Sequence, residues 1–405
     1  MLYLILSTAL FLGGLIIISW IHNQYHLDIV VEPAPPPSNA PLISVCIPAR
    51  NEERNIRACV EAVLAQDYPN FEVIVLDDRS TDSTPEILRE LTLESDGARA
   101  PLSGQTREQA PVLQILSGSD LPKGWAGKPH ALHQASAAAR GAPGAWLCFI
   151  DADTFISPET LSSCYAKALE TQADMFTIMT FQIMDSFWEK VVMPLVMTGL
   201  SAGFSPRKVN DPSRKDAIAN GQFILIQRSV YEAIGGHESV KGSIVEDKAI
   251  SEQVKWNGYR LVVADGMKLA RTRMYTSLSE MWEGWTKNIY LGLRDQPSLM
   301  ALGLFGAFLA LIVSLFLPAW PLLGVVWYLN GGGWMAMTVI LQALLVWAYM
   351  LYARSAVARN MGISSWYSLT TPLGAAMFGA MMFTSTWKVL SRQGVTWKGR
   401  TYGSG

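Results

Sequence analysis

The sequence predicts an α/β fold with a mainly parallel sheet, carried between apolar helices at both ends of the chain. Three observations point there. Apolar runs of strand length alternate with helical spacing through residues 41 to 150; polar residues collect just after the strands; and both ends of the 405-residue chain hold long uncharged stretches.

No charged residue occurs from Leu2 to Trp20, a stretch that as a helix rising about 1.5 Å per residue nearly spans a hydrocarbon core of roughly 30 Å. No Lys or Arg precedes it and no small-x-small cleavage site follows "ISWIHNQYHLD", so a membrane anchor over residues 1–22 is favoured over a signal peptide. Residues 23–40 read as a linker.

"LISVCIPA" (42–49) is a buried strand, followed by a helix with Ile56, Cys59, Val60, Val63 and Leu64 on one face. "FEVIVLDD" is a second strand and "STDSTPEILREL" a second helix, opened by Ser, Thr and Asp caps. "VLQIL", "GKPHALHQASAAARG" and "AWLCFIDAD" supply a third strand, a third helix and a fourth strand. If the fourth strand runs through "DAD", Asp151 and Asp153 lie side by side on it. In such sheets ligands bind beyond the carboxyl ends of the strands, where "PARNEE", "DDRSTD" and "DAD" converge. No glycine-rich phosphate loop follows the first strand, which argues against a dinucleotide-binding dehydrogenase. Residues 93–111 read as a mobile excursion. The apolar stretch 186–204 is either an interfacial, amphipathic or re-entrant element or a core helix.

From Leu299 to Ala353 no residue is charged, and a further apolar run extends from Thr371 to Trp387. Three crossings are expected, near 299–317, 334–353 and 370–388, with "PAWPLLGVVWYLNGGG" as a loop, a re-entrant piece or an extra crossing. The division is thus an α/β domain at 41–295, membrane helices at 296–390 and a cytosolic or interfacial tail at 391–405. Residues 28–295 hold all 34 acidic residues and 26 of the 32 basic ones, a net charge of −8 that suits no nucleic-acid partner. Cys46, Cys59, Cys148 and Cys164 lack metal spacing and read as reduced core residues.

The motifs "PARNE" (48–52), Asp77-Asp78-x-Ser-x-Asp, Gly127-Lys128, "DAD", "NGQFILIQRSVYEAIGGH" (220–237) and "VED" (245–247), in that order, resemble a family 2 glycosyltransferase with the GT-A fold. The likeness covers about residues 41–290. The overall layout and the ending "GVTWKGRTY" are similar to the membrane-bound branch associated with hopanoid and carotenoid glycosylation.

The resemblance implies roles. Asp151 and Asp153 would meet Mg²⁺ or Mn²⁺ on the diphosphate of a nucleotide-sugar, because hard oxygen ligands suit those cations and substrate phosphates complete the shell; a solvated turn is the plain alternative. Asp78 would read the base, implying a UDP-sugar, with Asp77 fixing the loop; an Asx turn serves equally and can coexist. Pro48, Arg50 and Glu52 would line the nucleotide, although Arg50 and Asn51 can merely cap the next helix. Lys128 would reach a phosphate or the base, or stand as a surface lysine.

Asp247, with Glu246, would be the general base that takes the acceptor hydroxyl's proton, giving inversion; an acidic helix start is the alternative. Asn220 and Gly221 would line the acceptor site; His237 is a metal ligand in principle, but a lone His after a turn is more often structural. Processive synthases of the family carry Gln-x-x-Arg-Trp near the membrane; here "MWEGWTKN" (281–288) keeps Trp285 but has Gly284 for the arginine and Met281 for the glutamine. Lys287, Arg273 and Arg294 remain to face the diphosphate or lipid headgroups.

The function expected is transfer of one hexose to a lipid hydroxyl in a bacterial inner membrane, with the catalytic domain facing the cytosol. A polyprenyl-phosphate acceptor, a processive synthase and a non-catalytic scaffold stand behind it. Three crossings after the domain would export a tail whose Lys388, Arg392, Lys398 and Arg400 favour the inside, while Arg354 and Arg359 favour three, so the count stays open.

Overall fold

A computed structural model describes residues 1–24, 27–98, 112–142, 144–203, 205–294, 297–397 and 400–402. In chain order the elements are α1 (Leu2–Gln24), β1 (Ile43–Ala49), α2 (Ile56–Leu64), β2 (Phe71–Asp77), α3 (Thr84–Ala98), β3 (Val112–Ser117), α4 (Gly127–Ala138) and β4 (Trp146–Ile150). There follow β5 (Thr154–Ile156), α5 (Thr160–Glu170), β6 (Met175–Met179), β7 (Phe181–Gln182), α6 (Phe187–Gly203), α7 (Pro206–Asn210), β8 (Phe223–Gln227), α8 (Arg228–Ala233), α9 (Glu246–Trp256), β9 (Leu261–Asp265) and β10 (Ala270–Thr272). The last third adds α10 (Leu278–Arg294), α11 (Pro297–Leu311), α12 (Leu317–Trp327), α13 (Gly333–Asn360), α14 (Thr371–Leu390) and a hairpin of β11 (Val395–Trp397) and β12 (Arg400–Tyr402). Of the excursion expected at 93–111, residues 93–98 belong to α3 and 99–111 lie outside the described residues.

The chain forms two compact units whose limits differ from the expected domain boundaries. An α/β unit comprises Leu27–Ile183 and Pro206–Met274; a helical unit takes Met1–His26, Met184–Ser205 and Tyr275–Gly405. Both α6 and α10 fall in the helical unit although the sequence places them inside the catalytic stretch.

In the α/β unit a seven-stranded sheet has the order β3-β2-β1-β4-β8-β6-β9. The pairs β2·β3, β1·β2, β1·β4 and β6·β9 are parallel, and β8 runs antiparallel to both β4 and β6. Alternate residues feed two cores: Val45 and Ile47 of β1 pack with Ile56, Val60 and Val63 of α2 on one face, and Cys46 lies with Leu132 and Ala135 of α4 on the other. A strand buried on both faces reads as a continuous apolar run, as "ISVCI" does. The four cysteines are free and buried, and burial pushes their thiol pKa values up. One expectation is corrected here: β4 ends at Ile150, and Asp151 to Asp153 form the turn into β5. The two carboxylates are therefore turn residues and do not share a strand face.

In the helical unit, Leu2–Ile21 and Leu304–Asn360 are long and apolar enough to cross a membrane, and few residues of their most apolar windows are buried. The longer stretch folds back on itself at Asn330 and Gly331, whose backbones are non-helical, so α12 and α13 form a helical hairpin. "PAWPLLGVVW" is thus helical, continuing α11 through a π-helical turn at Ile312–Phe316. Pro321 lacks the N–H that would bond the carbonyl four residues back, and the Trp347 indole donates to that Leu317 oxygen at 2.8 Å. The helix α1 is tied to α13 by polar contacts: Ser7 Oγ donates to Gln342 Oε1 (2.6 Å), and Gln342 Nε2 donates to Thr8 Oγ1 (3.0 Å). The stretch 186–204 is largely the helix α6, packed on α14 with Val191, Val192, Met193 and Val196 buried.

Candidate active site

The site gathers at the carboxyl ends of β1, β2 and β4, where β1 has neighbours on both sides and the strand order reverses. Its first half consists of the loops after β1 and β2, interlocked through their backbones. Asn51 N–H donates to Ser80 Oγ at 3.0 Å, Thr81 N–H to Asn51 Oδ1 at 2.8 Å, and Glu52 N–H to Thr84 Oγ1 at 2.8 Å. Asp77 Oδ1 accepts the Ser80 N–H at 3.0 Å, the loop-fixing role the sequence suggests. Asn51 and Arg79 both hold positive φ, 53° and 58°, a left-handed conformation uncommon outside glycine that the surrounding hydrogen bonds hold in place.

Asp78 is buried, its N–H donating to the Ala49 carbonyl at 2.7 Å. Arg50 braces the same residue, with Nη1 2.6 Å from the Asp78 carbonyl oxygen. Pro48 lies opposite Leu76 in the strand register. Pro48, Arg50, Glu52 and Asp78 therefore share one strand-end region.

The second half is a charge cluster. Lys128, at the start of α4, sits 2.6 Å from Asp151 Oδ1 and 2.7 Å from Glu246 Oε1. Gly221 N–H donates to Asp247 Oδ2 at 3.0 Å, and Lys248 N–H to Asp247 Oδ1 at 2.7 Å. A Cβ at position 221 would stand 3.1 Å from Asp247 Oδ2 and 3.2 Å from Lys128 Nζ, so any side chain there would press on both groups. Burial raises the carboxyl pKa of Glu246 and of Asp247, and the Lys128 ammonium works against both shifts. Burial opposes the charge on Lys128, but Asp151, Glu246 and Asp247 together hold its pKa well above the ordinary lysine value. Each Asp247 oxygen accepts one backbone N–H, which orients the carboxylate and leaves each oxygen a further acceptor position.

The structure thus brings together Lys128, Asp151, Gly221, Glu246 and Asp247. Asp153 stands one residue from β5, and its carbonyl accepts Thr272 Oγ1 at 3.0 Å. Arg273 follows directly on β10, which pairs with β5, so backbone register sets this cation near the DAD turn. The side chain of Asn220 is committed within the fold, donating to the Ile178 carbonyl at 2.9 Å and to Gln222 Oε1 at 3.2 Å; it positions Gly221. Trp285 and Lys287 belong to the helical unit, where the Trp285 indole is buried, 3.4 Å from Met193 Sδ and edge-on to Tyr275. Arg294 lies in the last turn of α10. His237 is buried, with Nδ1 2.8 Å from the Tyr231 hydroxyl, and burial takes its pKa down to about 3, a structural setting.

Sequence reasoning missed Thr177, Thr180 and Gln222. Thr177 Oγ1 accepts the Asn220 N–H at 3.0 Å, while Thr180 and Asn220 both donate to Gln222 Oε1, so these residues set the Gly221 backbone. No local pattern signals a contact across some forty residues.

The donor chemistry suits a hard divalent cation: Asp151 and Asp153 offer carboxylate oxygens on one turn. Among the described residues no group of three or more His, Cys, Asp or Glu side chains could cage a metal by itself. The pair fits a cation whose shell is completed by substrate phosphates.

Known proteins resemble the chain over most of its length. The 4,4'-diaponeurosporenoate glycosyltransferase of Staphylococcus aureus strain USA300 is 27% identical over 90% of this chain and 89% of that protein. The enzyme of strain MRSA252 is 26% identical over the same shares. A mannosyltransferase of Pyrobaculum calidifontis, solved with GDP-Man and Mn²⁺, shares the GT-A fold at a TM-score of 0.53, with 17% identity across 96% of this chain and 98% of that one. The profile described as "Glycosyltransferase like family 2" matches residues 40–284, more than half of the chain, and the protein belongs to that family.

Proposed function

We propose that the protein is an inverting, metal-dependent membrane glycosyltransferase that moves a single hexose from a UDP-sugar to the hydroxyl of a lipid. The observation that carries this is the cluster in which Gly221 and Lys248 orient Asp247 while Lys128 joins Asp151 to Glu246. Asp247 takes the proton from the acceptor hydroxyl as that oxygen attacks the anomeric carbon from the face opposite the leaving diphosphate. Burial, by raising its pKa, makes Asp247 a stronger base than a solvated aspartate. Lys128 and Arg273 supply positive charge for the diphosphate. A divalent cation held by Asp151 and Asp153 would neutralise charge on the departing nucleoside diphosphate. Asp78 and Glu52, with Pro48 and Arg50 shaping their loops, hold the nucleoside.

Single transfer is favoured over processive synthesis by Gly284. The Tyr275 ring fills the space beside it, with Cζ 2.7 Å from where a Cβ would stand, so the arginine of the processive motif has no room without rearrangement. A lipid acceptor is favoured by the exposed apolar helices and by the relatives' printed substrate, a carotenoid-named acid. That name also raises a second reading, a lipid carboxylate as acceptor, which needs no base because it is already ionised.

The helical unit supports a topology with α1 crossing once and the hairpin of Leu304–Asn360 crossing twice. The helix α14 then need not cross. In this topology Arg354, Arg359, Lys388 and Arg392 would all face the cytosol, as the positive-inside rule asks, with the N-terminus outside and the catalytic domain in the cytosol of a bacterial inner membrane.

The test is incubation of detergent-purified protein with UDP- and GDP-sugars, total membrane lipid, and Mn²⁺ or EDTA. One glycolipid, formed from a UDP-sugar and lost with EDTA, is expected; intact donors despite nucleotide binding would reverse the assignment.

A further inference from the structure

Within the helical unit, Ser279, Trp282, Glu283 and Thr286 of α10, Lys388 of α14 and Val395 of β11 border an open cavity of about 450 Å³. The four α10 residues recur at helical spacing and share one face. Thr286 is only 2% exposed, and its hydroxyl has no hydrogen-bond partner among the described residues, although its carbonyl accepts Ser385 Oγ at 2.8 Å. A helical threonine ordinarily satisfies its hydroxyl on a preceding carbonyl, as Thr384 does on Ala380 at 2.8 Å. A buried hydroxyl left over at a cavity wall calls for a polar ligand atom.

The cavity also carries two opposite charges that are not spent on one another. Glu283 and Lys388 both line it, and neither is ion-paired to a described residue. Lys388 is the first charge after the apolar run of α14 from Thr371 to Trp387, and α11, which packs beside α14, has no charge from end to end. The cavity therefore sits where apolar helix surface gives way to polar, with the amphipathic ring of Trp282 at its wall.

We propose that this cavity binds the headgroup of a zwitterionic aminophospholipid, with Lys388 and the Thr286 hydroxyl on the phosphate and Glu283 on the primary ammonium. A headgroup with phosphate alone would leave Glu283 facing an anion. A quaternary ammonium has no N–H to give that carboxylate. The proposal does not depend on the transferase reading, because no residue of the catalytic cluster takes part.

The test reconstitutes the full-length protein into nanodiscs of phosphatidylcholine with a minority of phosphatidylethanolamine or phosphatidylglycerol, then quantifies the lipids retained by native mass spectrometry. Wild type should enrich phosphatidylethanolamine over phosphatidylcholine by about tenfold, the factor a single charge-assisted hydrogen bond supplies. Glu283→Gln should erase that preference, and Lys388→Gln should reduce retention of both lipids. Thr286→Val, which keeps shape and removes the hydroxyl, should weaken retention by about threefold. Its melting temperature without lipid should be no lower than wild type, which separates lost binding from lost fold. Equal retention of the two zwitterionic lipids by wild type, a preference for phosphatidylglycerol, or enrichment that survives both charge substitutions would overturn the proposal. So would displacement of the lipid by millimolar soluble phosphoethanolamine, which would give the site to a soluble ligand.

Discussion

The two halves of the active-site edge are held by different forces. After β1 and β2 the loops are locked through their backbones, N–H by N–H, with two non-glycine residues in the left-handed region. Around Lys128 the geometry rests on charge: one ammonium between two carboxylates, beside a third that two backbone N–H groups orient. A backbone-locked half gives a fixed surface suited to recognising a planar base and ribose. A charge-held half can exchange partners when phosphates arrive, which suits the end where bonds break. Substitutions should therefore change turnover and pH response in the second half and donor affinity in the first.

The largest effect is expected from Asp247→Asn. It keeps the size and one of the two backbone hydrogen bonds but turns the other acceptor oxygen into an NH2 and removes the basic carboxylate, so kcat should fall by about a thousandfold, within the range for general-base removal. UDP affinity by calorimetry should stay unchanged. A loss of less than about tenfold would favour the ionised carboxylate acceptor.

Gly221→Ala comes next. Its Cβ would press on Asp247 Oδ2 and Lys128 Nζ at 3.1 and 3.2 Å, so both must give by a few tenths of an ångström. Displacing base and cation on that scale should lower kcat by about ten- to a hundredfold. Since φ at 221 is not positive, thermal stability should change little.

Lys128→Met tests the electrostatics. Burial raises the Asp247 and Glu246 pKa values and Lys128 lowers them, so removing the ammonium must raise both further. If Asp247 is the base it has to be ionised, so activity should disappear as pH falls through its pKa. The acid limb of the kcat/KM profile should therefore move to higher pH in the variant. An acid limb that stays in place would show that another group governs it.

The backbone-locked half was legible in the sequence because its contacts follow from local rules: apolar runs end, Asp and Ser caps begin, and parallel order places those loops together. Strand and helix assignments from β1 to β4 follow the same logic. The DAD turn was half legible. Its position at a strand end came through, but the strand stops at Ile150, because two carboxylates flanking one alanine favour a turn over a further stretch of buried strand. The Lys128–Glu246 pair was not legible, because residues so far apart meet only through the sheet order. Nor was the membership of α6 and α10 in the helical unit: composition along the chain does not say against which element an apolar face will pack. Gly374, whose added Cβ would stand 2.6 Å from Leu195 Cδ1, permits the close packing of α14 on α6, and nothing in "TPLGAA" marks it.

The smallest effect, and the sharpest probe of the locked half, is the pair Asn51→Ala and Asn51→Gly. The residue does two things: it holds φ at 53°, and its side-chain oxygen accepts the Thr81 N–H at 2.8 Å. Alanine loses both functions and meets the left-handed penalty of roughly 1–2 kcal/mol; glycine loses only the hydrogen bond, worth about 1 kcal/mol. If the loop recognises donor, KM for the UDP-sugar should rise by about tenfold in the alanine variant and about threefold in the glycine variant, with kcat nearly constant in both. Equal effects would mean that the hydrogen bond, and not the backbone conformation, sets the loop. A fall in kcat without a change in KM would join the two halves mechanically and remove the distinction between them.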